Sequence, residues 1–198
     1  MTNIQEERAT MTRDRIMRGL ANELLASGPH EVSIQAVADR AGVSHRTVYR
    51  YFESKDELFQ AYGEWVDETV SQGDSAPDSL GGLEEQVIEL YRRFDHYEEI
   101  MEAFVRIGDT GRKVDVRSER TAAFQDMMEH ELPTLRPDYR DALTALVRQI
   151  ASSQTWSRGR HDYEIDGETL GEVASWALKM IHRAIDDGSL PETWSEET

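Results

Sequence analysis

Residues 33–58 read SIQAVADRAGVSHRTVYRYFESKDEL. Small or apolar residues fall at Val37, Ala38, Ala41, Val43, Val48 and Tyr51, the spacing of two short helices crossing steeply about a tight turn. Ala38 is small where the second helix must come close. Gly42 stands where the first helix must end, because a C-terminal glycine takes the left-handed conformation at little steric cost. Ser44 offers a hydroxyl to cap the helix that follows. Three separate constraints agree on a helix-turn-helix. In that motif the second helix enters the DNA major groove with its N-terminal residues facing base edges, and those residues here are His45, Arg46, Thr47, Tyr49 and Arg50. Arg46 and Arg50 carry the planar fork for bidentate contact with guanine, whereas His45 and Thr47 suit base edges or phosphates. A solvated polar face beside a packed turn is the plainer alternative, and it needs fewer of these positions to fit.

Ser54-Lys55-Asp56-Glu57 has the spacing of a capping box, so a further helix starts there. Lys55 lies in its first turn, where the helix dipole prefers anions. A phosphate set against the lysine and the free backbone N–H groups resolves the mismatch. The run Thr47-Val48-Tyr49-Arg50-Tyr51-Phe52, followed by Lys55 and Leu58-Phe59, resembles the signature of the TetR family of bacterial repressors. The family's form is a threonine, an apolar residue, a tyrosine, one further residue, an aromatic or histidine, Phe, and a lysine three positions on. The resemblance spans about residues 10–62; beyond them it rests on length and helical content. It implies a DNA contact for Tyr49 and leaves Tyr51 open between DNA and core. Ser33, Gln35, Ser44 and Lys55 complete the candidate DNA-binding set, with Gln35 equally compatible with no role.

The 198 residues allow one domain of ordinary size plus a small one. With no cysteine there is no disulfide framework, thiolate metal site or thiol nucleophile. No apolar run approaches the length of a membrane span and no signal segment opens the chain, so a cytoplasmic protein is expected. Proline and glycine cluster at a few breaks while apolar residues recur at three and four, which predicts an all-α fold. The net charge of −17 is unusual for a DNA binder. It is unevenly spread: residues 1–62 hold 8 Lys and Arg against 9 Asp and Glu, and the remainder holds 14 against 30. Arg13, Arg15, Arg18, Arg46, Arg50 and Lys55 are expected to gather on one side of the N-terminal part. An acidic body opposes loose, sequence-independent binding, which is mostly electrostatic.

In chain order, a first helix to about Ser27 buries Ile16, Leu20 and Leu24 and stops at Gly28-Pro29. The fourth helix continues through Phe59, Tyr62, Trp65, Val66 and Val70 into the rest of the chain. Gln72 to Gly82 is the one convincing internal break. The division expected is a helix-turn-helix domain over 1–62 and a helical effector-binding and dimerisation domain over 63–198. In the latter, helices are predicted near 83–93, 95–108, 113–130, 138–158 and 167–187. Leu143, Leu146, Val147 and Ile150 line one stripe; Leu170, Val173, Ala174, Ala177, Leu178, Ile181 and Ile185 line another. The resemblance implies that the last two helices pair with their twins in a homodimer, with Gly171, Ala174, Ser175 and Ala177 allowing close approach. Core packing explains the same stripes.

Residues 83–165 carry Phe94, Tyr97, Met101, Phe104, Phe124, Met127, Met128 and Trp156. Aromatics and methionines at helical spacing are usually core, but the resemblance implies an inducer cavity walled by such residues. Tyr97, Met101, Phe104, Phe124, Met128 and Trp156 are the candidates for it, and Tyr97, Arg106, Gln125 and Gln154 the polar groups able to orient a ligand. The resemblance further implies a repressor of a double-stranded DNA operator. A small-molecule effector would favour a spread at which the two recognition helices no longer match successive grooves, with the fourth helix as lever. No cofactor is expected. His96 with Glu98 and Glu99, and His130 between Glu129 and Glu131, read as solvated acidic faces and not metal sites. No HExxH, G-x-S-x-G or phosphate-loop pattern points to an enzyme. The competing readings are a helical enzyme or small-molecule binder without DNA-binding function, and a similar regulator acting as activator without a small-molecule effector.

Overall fold

The computed structural model describes residues 3–71, 77–108 and 115–195. Among them the chain is helical throughout: α1 (Asn3–Ser27), α2 (Ile34–Ala41), α3 (His45–Tyr51), α4 (Lys55–Val66) with a π-helical turn (Asp67–Ser71), α5 (Leu80–His96), α6 (Glu98–Gly108), α7 (Asp115–Glu131), α8 (Pro137–Ile150), α9 (Ser153–Tyr163) and α10 (Gly167–Asp186). One expectation fails. The helix predicted over 138–158 is two helices, because Ser152 adopts an extended backbone and its hydroxyl accepts from Thr155 N at 3.1 Å, starting α9 afresh.

The described helices form two compact units, α1–α4 with the π turn and α6, and α5 with α7 (from Arg117) to α10. The division drawn from sequence at 62/63 concerns role, whereas these units concern packing. In the first unit Ile16, Met17, Leu20 and Leu24 of α1 are fully buried, with Val37, Ala38, Val48, Leu58 and Tyr62. The approach of α1 to α2 depends on Gly19, where a Cβ would lie 2.9 Å from both Ala41 N and Val37 O. Gly42 (φ 63°, ψ 37°) ends α2 in a Schellman arrangement: Val43 N donates to Ala38 O at 3.0 Å and Gly42 N to Asp39 O at 3.2 Å. Arg15 completes that end by donating to Ala41 O and Gly42 O, both at 2.8 Å.

The remaining polar bonds of this unit tie its helices together. Glu23, buried on α1, accepts from Ser27 Oγ at 2.6 Å and from Arg40 Nε at 2.5 Å. Those two bonds, Ser27 first, hold its carboxyl below the usual carboxylate range. Trp65 Nε1 donates to Asp14 Oδ1 at 3.1 Å. On the α6 side, Tyr62 Oη donates to Ile100 O at 2.9 Å, and Arg106 Nη1 donates to Leu24 O and Leu25 O at 3.2 and 2.9 Å.

In the second unit α5 and α10 run antiparallel in close contact. Gly167 lies against Tyr91, Gly171 against Ile88 and His182 against Gly81, and a Cβ on Gly171 would come 2.8 Å from Ile88 Cα. Gly171 is therefore spent on α5, and Ala174 and Ser175 are buried within the chain, as the core-packing reading of this stripe expects. Asp95, at the end of α5, joins three elements. It accepts from Trp156 Nε1 (2.8 Å), Arg160 Nη1 (3.0 Å) and Gly167 N (2.6 Å). The C-terminal segment returns to the start of α8, where Arg136 N donates to Trp194 O at 2.9 Å and Trp194 stacks on Tyr139 at 5.1 Å.

Candidate nucleic-acid interface

Only Val48 of α3 is buried, so the helix is anchored by one apolar side chain and its other residues face outward. His45, Arg46, Tyr49 and Arg50 are exposed, as are Ser33, Gln35 and Ser44; Thr47, Tyr51 and Lys55 are partly so. The ten sequence candidates thus remain accessible within one unit. Several are already shaped by neighbours. The ring of His45 meets that of Tyr49 edge-on at 4.7 Å, holding a tyrosine that is 46 % exposed. Arg50 lies over Tyr51 at 5.3 Å and Lys55 Nζ over Phe59 at 5.4 Å.

Ser44, Ser33 and Ser54 are N-caps, accepting from Thr47 N, Ala36 N and Glu57 N, each at 3.1 Å. Ser44 and Thr47 also share a hydroxyl–hydroxyl bond of 2.8 Å, and Gln35 Nε2 donates to Asp39 Oδ1 at 2.8 Å. The capping box at α4 is displaced by one residue: Glu57 Oε2 accepts from Glu53 N at 2.6 Å, not from Ser54 N.

The arginines of α1 are engaged within their own unit. Arg15 caps α2, Arg18 pairs with Asp14 at 2.9 Å and lies over Trp65, and Arg13 pairs with Glu64 at 3.6 Å. Each is drawn to an anion or carbonyl of its own unit. The cations on the α3 face are Arg46 and Arg50, with Lys55 at the start of α4. A cleft of about 260 Å³ lies beside them, lined by Arg13, Tyr51, Phe52, Glu57, Gln60, Ala61 and Glu64.

The effector candidates fall in both units, Tyr97, Met101 and Phe104 in the first and Phe124, Met128 and Trp156 in the second. Met101, Phe124, Met128 and Trp156 are buried; Tyr97 and Phe104 are partly exposed. Trp156 is packed as core, edge-on to Phe94 at 5.7 Å with its indole N–H on Asp95. Arg106 Nη1 is engaged by the last carbonyls of α1, and Gln125 is exposed. Among the described residues no three His, Asp or Glu side chains converge to hold a metal ion.

Sequence reasoning missed Gly19, Asp95 and Trp176. A glycine inside an otherwise helical run, one turn from Ile16, was the available signal for Gly19. Trp176 is 62 % exposed, with Leu146 (61 %), Val173 (56 %) and Met180 (36 %) also outward.

A family model of bacterial regulatory proteins, tetR family, matches residues 16–62. No curated protein matches the chain. Among solved structures, NalD, the secondary repressor of the MexAB-OprM multidrug efflux pump in Pseudomonas aeruginosa, is similar with a TM-score of 0.65 and 18% identity, over 87% of this chain and 96% of that one. A transcriptional regulator from Rhodococcus sp. Rha1 is similar with a TM-score of 0.60 and 16% identity, over 87% and 96%. A TetR-family regulator from Syntrophomonas wolfei reaches 0.61 and 15%, over 88% and 96%. At these identities the likeness is one of fold, and the family model's match over residues 16–62 covers the helix-turn-helix itself.

Proposed function

We propose that this protein is a cytoplasmic homodimeric repressor of the TetR family that holds a double-stranded operator and leaves it when a small molecule binds among the helices after α4. The observation that carries the reading is the α3 face, where His45, Arg46, Tyr49 and Arg50 are exposed on a helix fixed by Val48 and capped by Ser44. Arg46 and Arg50 read base edges; Lys55 holds a phosphate. Pairing is supported by Leu146, Val173, Trp176 and Met180, large apolar side chains left outward on α8 and α10. Two copies bring two recognition helices to two half-sites, which one copy cannot do. No catalytic role is assigned, and the six effector candidates stay proposals.

Selection of bound fragments from a random-sequence DNA pool tests this. Arg46→Ala and Arg50→Ala should each weaken binding to the selected sequence by about 1–3 kcal/mol while sparing unrelated DNA. Lys55→Ala should weaken binding to all sequences alike. Failure to enrich any sequence, or equal loss on every sequence for the two arginines, overturns the base-reading assignment. Retention of the selected fragment against every compound in a chemically diverse panel would count against the effector.

A further inference from the structure

The break between α8 and α9 falls in a stretch, LVRQIASSQTWSRG from Leu146 to Gly159, with no proline and no glycine before its last residue. Nothing local forbids a continuous helix there. In a straight helix Gln149 O would accept from Ser153 N, and Ile150 O from Gln154 N. In the bent chain other donors replace both, and on Gln149 O one of them is Ser152 N at 3.2 Å. Gln149 O accepts from Ser152 Oγ at 2.9 Å and from Thr155 Oγ1 at 2.6 Å. Ile150 O accepts from the hydroxyl of Tyr91, which also reaches Ser152 O at 3.3 Å.

Ser152 and Thr155 belong to the break itself, but Tyr91 comes from α5 and is fully buried. One turn later on the same helix, Asp95 binds Trp156 and Arg160 of α9. A single face of α5 thus grips the break at Ile150 and the helix beyond it.

We propose that α8 and α9 form a two-state elbow, bent in this structure and able to straighten into one helix, with the Tyr91 hydroxyl as its latch. Displacing α5 withdraws that hydroxyl, leaves Ile150 O without its donor and favours the straight form, in which a backbone N–H supplies it. The elbow is an intrachain device, and it stands whether or not the apolar face of α8 and α10 pairs two copies.

The chain has no cysteine, so nitroxide labels at Asp141→Cys and Arg158→Cys report one distance across the elbow. Labelled chains diluted into excess unlabelled protein keep that distance intrachain, so the outcome is independent of oligomeric state. A continuous helix separates the two Cα atoms by about 26 Å, and the bent form is shorter. Tyr91→Phe should shift the bent-to-straight ratio toward straight by about tenfold, the scale of one lost buried hydrogen bond. Ser152→Ala should move it the same way without touching α5. Ser153→Pro should restore the bent form in the Tyr91→Phe background. Proline is at home as the first residue of a helix, Ser152 already has the extended backbone a following proline requires (φ −102°, ψ 153°), and proline inside a straight helix is excluded. An unchanged distance in both Tyr91→Phe and Ser152→Ala overturns the elbow. So does a new component that is shorter or featureless, or one that Ser153→Pro fails to remove. Should Tyr91→Phe not fold, as judged by its thermal transition, Ser152→Ala alone and with Ser153→Pro decides.

Discussion

Raising salt is the perturbation that reads the interface most directly, because protein–DNA affinity falls with log[salt] by a slope of about −0.9 per phosphate neutralised. The structure bounds that number. Of the cations in the first unit, Arg13, Arg15, Arg18, Arg40 and Arg106 are held by Glu64, the end of α2, Asp14, Glu23 and the end of α1, and Arg8 lies near the start of α1; those on the α3 face and the adjoining α4 start are Arg46, Arg50 and Lys55. If both arginines read bases, a pair of protomers neutralises about two phosphates and the slope is about −1.8; if all three cations meet phosphates it is about −5.4. Between 50 and 200 mM salt the affinity then falls by about 12-fold in the first case and about 2,000-fold in the second. Fluorescence anisotropy on a selected DNA fragment, repeated at five salt concentrations, measures the slope. Lys55→Ala should flatten it by about 1.8 for the pair. A slope steeper than about −8 would refute the reasoning, since it requires cations beyond Arg46, Arg50 and Lys55 to join the footprint.

Three further expectations concern stability. Gly19→Ala places a methyl 2.9 Å from backbone atoms of α2 and should cost about 1–3 kcal/mol, seen as a lowered thermal midpoint together with weakened DNA binding; an unchanged midpoint would mean α1 and α2 are not in close contact. Glu164 ends α9 at φ 57°, a left-handed conformation that favours glycine, so Glu164→Gly should stabilise by about 0.5–1 kcal/mol in a denaturant titration. Glu23 is held below the ordinary carboxylate range by Ser27 and then Arg40, so its contribution is present above about pH 4.3 and disappears as pH falls through the lower folded value. Urea titrations from pH 5 to 3 should therefore show a shallower acid loss for Glu23→Gln than for the parent, and identical profiles would count against the assignment.

The helix-turn-helix was legible because its constraints are local: a glycine at φ 63°, a serine cap and one buried valine each act within a few residues. The fate of Arg13 and Arg15 was not, because they find their partners on a neighbouring helix and at another helix's end, whereas Arg18 pairs locally with Asp14. The glycines and small residues of α10 carried a true signal of close approach but not the identity of the helix approached, which is α5. Trp156 shows the same limit in the second unit: its spacing placed it on a helix's inner face, while only Asp95, 61 positions earlier, accounts for the polar end of a fully buried indole. The helix boundary at Ser152 was missed for a related reason, since one of the groups that stabilise it is a tyrosine 61 positions earlier.

The composition of the first unit also bears on how a signal reaches the DNA face. From sequence, α4 alone was the lever, since it follows the recognition helix and runs on into the rest of the chain. The structure adds α6, which carries the effector candidates Met101 and Phe104 and lies within the same unit as α1–α4. Its backbone receives Tyr62 of α4 at Ile100 O, and its Arg106 grips the last carbonyls of α1. Tyr62 is fully buried, so its hydroxyl cannot leave Ile100 O without losing a bond that water does not replace, a loss of about 1–3 kcal/mol. A ligand that displaces α6 by the length of a hydrogen bond must therefore either meet that cost, and a similar one at Arg106, or carry α1 and α4 with it. Carrying them is the cheaper course where the helices move as one body. Because α1 meets α2 at Gly19 without room for a methyl group, α1 cannot move toward α2 without pushing it, and α2 is tied to α3 through the turn at Gly42.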